Sequence, residues 1–99
     1  MIIHTVAFKT KHPLGSAEEK DVLKAGIDLG NLPMVNNFQC YRQVSQKNEF
    51  EFGFSMEFES EEAYEAYNNH PDHVNFVSNR WIPEVETFLE IDYVKYQIT

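Results

Sequence analysis

Glu49-Phe50-Glu51-Phe52-Gly53-Phe54-Ser55-Met56-Glu57-Phe58 alternates without a break. In an extended chain successive side chains point to opposite faces, so Phe50, Phe52, Phe54, Met56 and Phe58 share one side. Glu49, Glu51, Gly53, Ser55 and Glu57 share the other. A strand of this kind needs one dry face and one wet face, and slipping its register by one residue would bury the glutamates. This segment is predicted to be a strand of a half-covered antiparallel sheet.

Upstream, Ser45-Gln46-Lys47-Asn48 is a polar turn, and Phe38 to Val44 is a second strand leading into it. Downstream, Ser60 can cap a helix whose first turn holds Glu61 and Glu62, where the helix dipole favours negative charge. Ala63, Ala66 and Tyr67 form its predicted inner face, with Tyr64 alongside. His70-Pro71 breaks that helix, and Pro71 suits the first position of another short one. There His73, Phe76, Val77 and Arg80 fall on one side, with Val74 and Trp81 next to it. Pro83 restarts the chain, and Thr87 to Gln97 reads as the last strand.

At the N-terminal end, Ile2 to Thr10 is a strand with His4, Val6 and Phe8 on one face. Ser16-Ala17-Glu18-Glu19 has capping-box spacing. Val22, Leu23, Gly26, Ile27 and Gly30 then form a narrow helical stripe that Asn31-Leu32-Pro33 closes. The order is β-α-β-β-α-β with a helical piece before the final strand. It predicts an α+β, ferredoxin-like split βαβ fold: a four-stranded antiparallel sheet with both helices on one face. Residues 1–99 form a single domain. The bare side of the sheet, with Ile3 and Ala7, calls for a cover. In so short a chain a second copy, making a homodimer, is the simplest one.

Sixteen Asp and Glu against 8 Lys and Arg give a formal charge of −8, which disfavours nucleic acid and anionic membranes as partners. Between Asn48 and Asn79 there is no Lys or Arg at all. Cys40 is the only cysteine, which excludes an intrachain disulfide and a cysteine-cluster zinc site; it reads as a small half-buried hydrophobe. No signal peptide or membrane-spanning run is visible, so a cytoplasmic location is expected. His4, His70 and His73 could together be weighed as a zinc set, but Pro71 places His70 at a helix start. His70 is expected to cap that helix or to face solvent, and neither metal nor cofactor is expected.

The run Tyr67-Asn68-Asn69-His70-Pro71-Asp72-His73-Val74-Asn75-Phe76-Val77, with Trp81 and Asp92-Tyr93 after it, resembles the stress-responsive dimeric α/β barrel (Dabb) family. The opening His4-Thr5-Val6-Ala7-Phe8-Lys9 fits the same pattern, so the likeness spans nearly the whole chain. The resemblance implies a homodimer whose two sheets form a barrel, with a small-molecule pocket between each sheet and its helices. Some members are polyketide cyclases that close a poly-β-keto chain by aldol condensation. On that likeness His73 is the general base and Tyr67 its oriented hydrogen-bonding partner. His4 lines the same pocket, and Val6, Phe8, Phe76, Val77 and Trp81 complete the ligand-binding set. The cyclases carry a further tyrosine where this chain has Gly26, which would empty space in the pocket.

An imidazole suits proton removal beside a carbonyl at neutral pH, and a phenol can steady the enolate oxygen. The expected ligand is a small aromatic or keto acid. Two other readings fit the same pocket: a non-catalytic ligand-binding or structural dimer, and a cofactor-free monooxygenase of this fold.

Overall fold

The computed structural model describes residues 1–98. The order is β1 (Ile2–Thr10), α1 (Ala17–Asp28), β2 (Asn36–Arg42), β3 (Phe52–Phe58), α2 (Glu61–Asn69), α3 (Pro71–Phe76), α4 (Ile82–Glu84) and β4 (Val85–Tyr93). A 3₁₀ turn, Leu29–Asn31, follows α1, and a π-helical turn, Val77–Trp81, joins α3 to α4. The sheet is antiparallel throughout in the order β2-β3-β1-β4, as the split βαβ reading requires.

The alternation of the third strand holds: Phe52, Phe54, Met56 and Phe58 are buried, and the residues between them are not. Register sets Val6 opposite Phe54 and Phe8 opposite Phe52, so β1 and β3 present one aromatic surface to the helices. Leu29 and Tyr67 pack onto it from the helical layer. Glu49 to Glu51 precede the regular ladder, but Gln43 N–H donates to Glu51 O and Glu51 N–H to Phe8 O, so pairing continues irregularly there. β2 begins earlier than predicted, at Asn36, because a bulge between Asn36 and Gln39, with Asn37 at φ 49°, admits extra residues. β4 ends at Tyr93, and Val94, Tyr96 and Ile98 beyond it are exposed.

The caps explain the helix starts. Ser16 Oγ accepts from Glu19 N–H, and Ser60 Oγ from Ala63 N–H at 3.1 Å. The Glu19 carboxylate reaches back to Gly15 N–H instead of to Ser16, whose own N–H is held by Pro13 O. Gly15 sits at φ +82°, a conformation that favours glycine. Ser60→Ala should cost about 1 kcal/mol in urea unfolding; an unchanged midpoint would mean water replaces the cap without loss.

Four expectations are corrected. Ile27 is exposed and Leu29 is buried in its place, because Val22, Gly26 and Leu29 follow at i, i+4 and i+7 and so form the inward stripe. Ala66 is exposed, since α2 packs through Ala63, Tyr64 and Tyr67. Cys40 is exposed on the outer strand β2. Arg80 does not share the inward side of α3. The π-helical turn carries it toward α1, where it pairs with Asp21, while also pairing with Glu84.

Candidate functional site

Between the sheet and the helical layer lies a cavity of about 470 Å³. β1 contributes His4 and Val6, β3 contributes Phe54 and Met56, and α2 contributes Tyr67. The segment after the second helix closes it with His73, Phe76, Val77 and Trp81, and the outer strand β4 adds Phe88 and Glu90. The π-helical turn matters here: its extra residue brings Trp81 onto Phe8 and Phe54, at ring-centroid distances of 4.9 and 6.4 Å. Such turns recur at functional sites because they re-aim side chains without breaking the helix.

Seven of the eight side chains anticipated as catalytic or ligand-binding meet at this cavity: His4, Val6, Tyr67, His73, Phe76, Val77 and Trp81. Phe8 does not. It is 1% exposed and lies beneath the cavity wall, among Phe52, Phe54 and Trp81. Phe8 is on the inner face of β1, as alternation predicts, but the rings of its neighbours cover it.

His73 and Tyr67 are not hydrogen-bonded to each other. Their rings pack at 4.3 Å, and His73 Nδ1 instead donates to the backbone carbonyl of Asn68 at 3.2 Å. A carbonyl can only accept, so the proton sits on Nδ1 and the lone pair on Nε2. Burial pushes the His73 pKa below its ordinary 6.5, against the pull of the Asn68 carbonyl, and the neighbouring His4 adds to the lowering. Tyr67 is 3% exposed, and its hydroxyl has no hydrogen-bond partner among the described residues. Burial, and then the Glu90 carboxylate, raise its pKa, so the phenol stays a proton donor.

His4 is built into a network. Its Nδ1 donates to Asp92 Oδ1 at 2.6 Å, across the β1–β4 register that sets the two residues opposite one another. The Tyr64 hydroxyl donates to Asp92 Oδ2 at 2.9 Å, with its oxygen also 2.9 Å from His4 Nδ1. The carboxylate fixes the tautomer, leaving Nε2 without a partner among the described residues. Asp92, Tyr64 and Glu90 were not singled out as site residues. The signal was in β4, where Phe88, Glu90 and Asp92 alternate with Leu89, Ile91 and Tyr93. Only the pairing with β1 decides which set faces the helices.

His70 takes no part in the cavity. Its Nδ1 accepts from Asp72 N–H and caps α3. Gly26 does not leave a void: a Cβ there would stand 2.7 Å from the Phe54 ring. Phe54 thus fills the volume that a larger residue at Gly26 would claim. No Lys or Arg side chain lines the cavity, so a carboxylate ligand would find no cationic partner in its wall.

The depressed His73 pKa has a consequence for stability. Unfolded chains bind a proton at His73 more readily than the native state does. Its contribution is therefore fully present above pH 6.5 and is lost as pH falls from there through the lowered native value. His73→Gln should flatten the stability-against-pH curve in that window, measured by urea titration. Parallel curves for wild type and variant would show that His73 titrates alike in both states.

No helix of the described residues is long and apolar enough to cross a membrane. Among solved structures, a Dabb-family protein with a ferredoxin-like fold from Mesorhizobium loti is 52% identical, with 97% of each chain covered and a TM-score of 0.94. The Arabidopsis thaliana protein At3g17210 is 25% identical over 100% of this chain and 99% of its own, with a TM-score of 0.85. A dimeric ferredoxin-like protein of unknown function from Thermobifida fusca shares the fold at 18% identity, covering 95% of this chain and 90% of its own (TM-score 0.78). No curated protein matches. The profile of the stress responsive A/B barrel domain matches residues 2–95, and the chain belongs to that family.

Proposed function

We propose that the cavity binds a small carbonyl compound and that His73 removes a proton from the carbon beside the carbonyl. The observation that carries this is the pairing of a neutral imidazole with an unpartnered phenol, their rings 4.3 Å apart in one wall. His73 Nε2 takes the proton, the C–H electron pair becomes the C=C bond of the enolate, and the carbonyl π pair moves onto the oxygen. That oxygen accepts a hydrogen bond from Tyr67, which stays protonated as the negative charge develops. The enolate is then reprotonated by His73, or attacks a second carbonyl in an aldol-type step whose alkoxide takes the proton from His73; the reverse is a lyase-type step. His4, held by Asp92, offers a second nitrogen to a substrate hydroxyl.

The chain acts in this reading as a homodimer. Leu89, Ile91 and Tyr93 are 50%, 40% and 51% exposed, on the side of the sheet that the helices leave bare. They lie opposite Ala7, Thr5 and Ile3, so the bare side carries an apolar stripe. Covering it with a second copy removes that surface from water. Binding without turnover is the second reading, favoured by the mostly apolar lining; a ligand then comes back unchanged.

The test is deuterium uptake at the methyl group of acetophenone in D₂O, followed by NMR, with wild type and His73→Ala compared. Uptake above the buffer rate that the variant abolishes supports the assignment. Uptake equal in both, or none with wild type, rejects it.

A further inference from the structure

We infer that the ligand carries a basic amine, which Glu90 receives at the β4 side of the cavity. This deepens the carbonyl reading above and rests on it. Three observations on the molecule support the inference. First, among the described residues Glu90 is the only formally charged side chain in the wall, apart from the two histidines. It stands opposite Val6 on the outer strand, exposed to solvent on one side and lining the cavity on the other. An ammonium there gains a counter-ion without being fully dried.

Second, the rest of the wall is suited to a cation. Phe54, Tyr67, Phe76, Trp81 and Phe88 surround the space. Aromatic rings attract a cation over their faces, and they repel an anion placed there. Third, the surroundings are acidic. An open cleft beside the cavity, sharing Asn68 with it, is lined by Glu61, Glu65 and Asp92, with no Lys or Arg. Arg80 is already held by Asp21 and Glu84. The segment from Asn48 to Asn79, which supplies β3, α2 and α3, carries no Lys or Arg to offset these acids. The field over this end of the sheet draws cations in and turns carboxylates away. A keto acid is therefore the wrong charge type for this wall.

Three para-substituted acetophenones test the inference with one shared body: aminomethyl (cationic), hydroxymethyl (neutral) and carboxylate (anionic). Affinities are measured by calorimetry on wild type and Glu90→Gln, an exposed and nearly isosteric change. In wild type the cation should bind about 5- to 10-fold more tightly than the neutral compound, and the anion more weakly than either. Glu90→Gln should remove most of the cation's advantage over the neutral compound. Added salt should weaken only the cation. Equal affinity for all three, preference for the anion, or a cation preference that survives Glu90→Gln overturns the inference. None of those results touches the assignment of His73, which stands or falls on deuterium uptake. Failure of all three compounds to bind overturns the amine inference alone.

Discussion

His73→Ala should lower the rate of α-proton exchange by about 10²- to 10⁴-fold, the usual worth of a positioned general base. The substitution removes Nε2, the lone pair that Asn68 O orients through Nδ1. His73 is only half-buried and makes one backbone hydrogen bond, so its loss should leave the fold standing. Tyr67→Phe tests the other half of the pair. It keeps the ring that packs on Phe58 at 5.1 Å and on His73 at 4.3 Å, and deletes only the unpartnered hydroxyl. Loss of an oxyanion donor costs about 10²- to 10³-fold in kcat. A Tyr67→Phe variant as fast as wild type would assign oxygen stabilisation elsewhere, with the unpartnered nitrogen of His4 as the next candidate donor.

Phe8→Ala should be among the most destabilising single changes in the core. The ring is 1% exposed, and its centroid lies 4.8 Å from Phe54, 4.9 Å from Trp81 and 5.9 Å from Phe52. Truncating a buried Phe costs about 3–5 kcal/mol, because the cavity left behind collapses only in part. Domains of this size are stable by only about 5–15 kcal/mol, so the variant would lose a large share of that margin. A fall in Tm on the order of 20 °C is expected, at one fixed protein concentration because a dimer's Tm depends on it. The effect reaches function too, since Phe8 supports Trp81 and Phe54 in the cavity wall. A loss under about 1 kcal/mol would mean that Trp81 and its helical segment settle into the space.

The comparison of Phe8 with Tyr67 shows how far a one-dimensional pattern reaches. Alternation and helical spacing predict both on the inner side of their elements, and both are there. That one lies under the cavity wall and the other opens into the cavity depends on the third layer of neighbours. His73 behaves the same way. Helical spacing turned it inward, but the hydrogen bond to Asn68 O, in place of one to Tyr67, depends on the angle between α2 and α3 at His70-Pro71. Arg80 departs from helical spacing because a π-helical turn breaks the periodicity on which spacing depends.

Alternation along Phe50 to Phe58, the serine caps at 16 and 60, and the breaks at Pro33 and Pro71 specified the order of elements. Each rests on local physics, on side-chain direction and on backbone groups satisfied within a few residues, so the chain alone carries it. The inner faces of β1 and β3 could be read the same way. The union of His4 with Asp92, 88 positions apart, could not. Nor could the presence of Glu90 in the cavity wall. In β4 both faces bear residues that either side of a sheet would accept, Leu89, Ile91 and Tyr93 against Phe88, Glu90 and Asp92. Pairing with β1 settles the choice, because backbone hydrogen bonding fixes one register, and with it the side of the sheet on which each carboxylate stands.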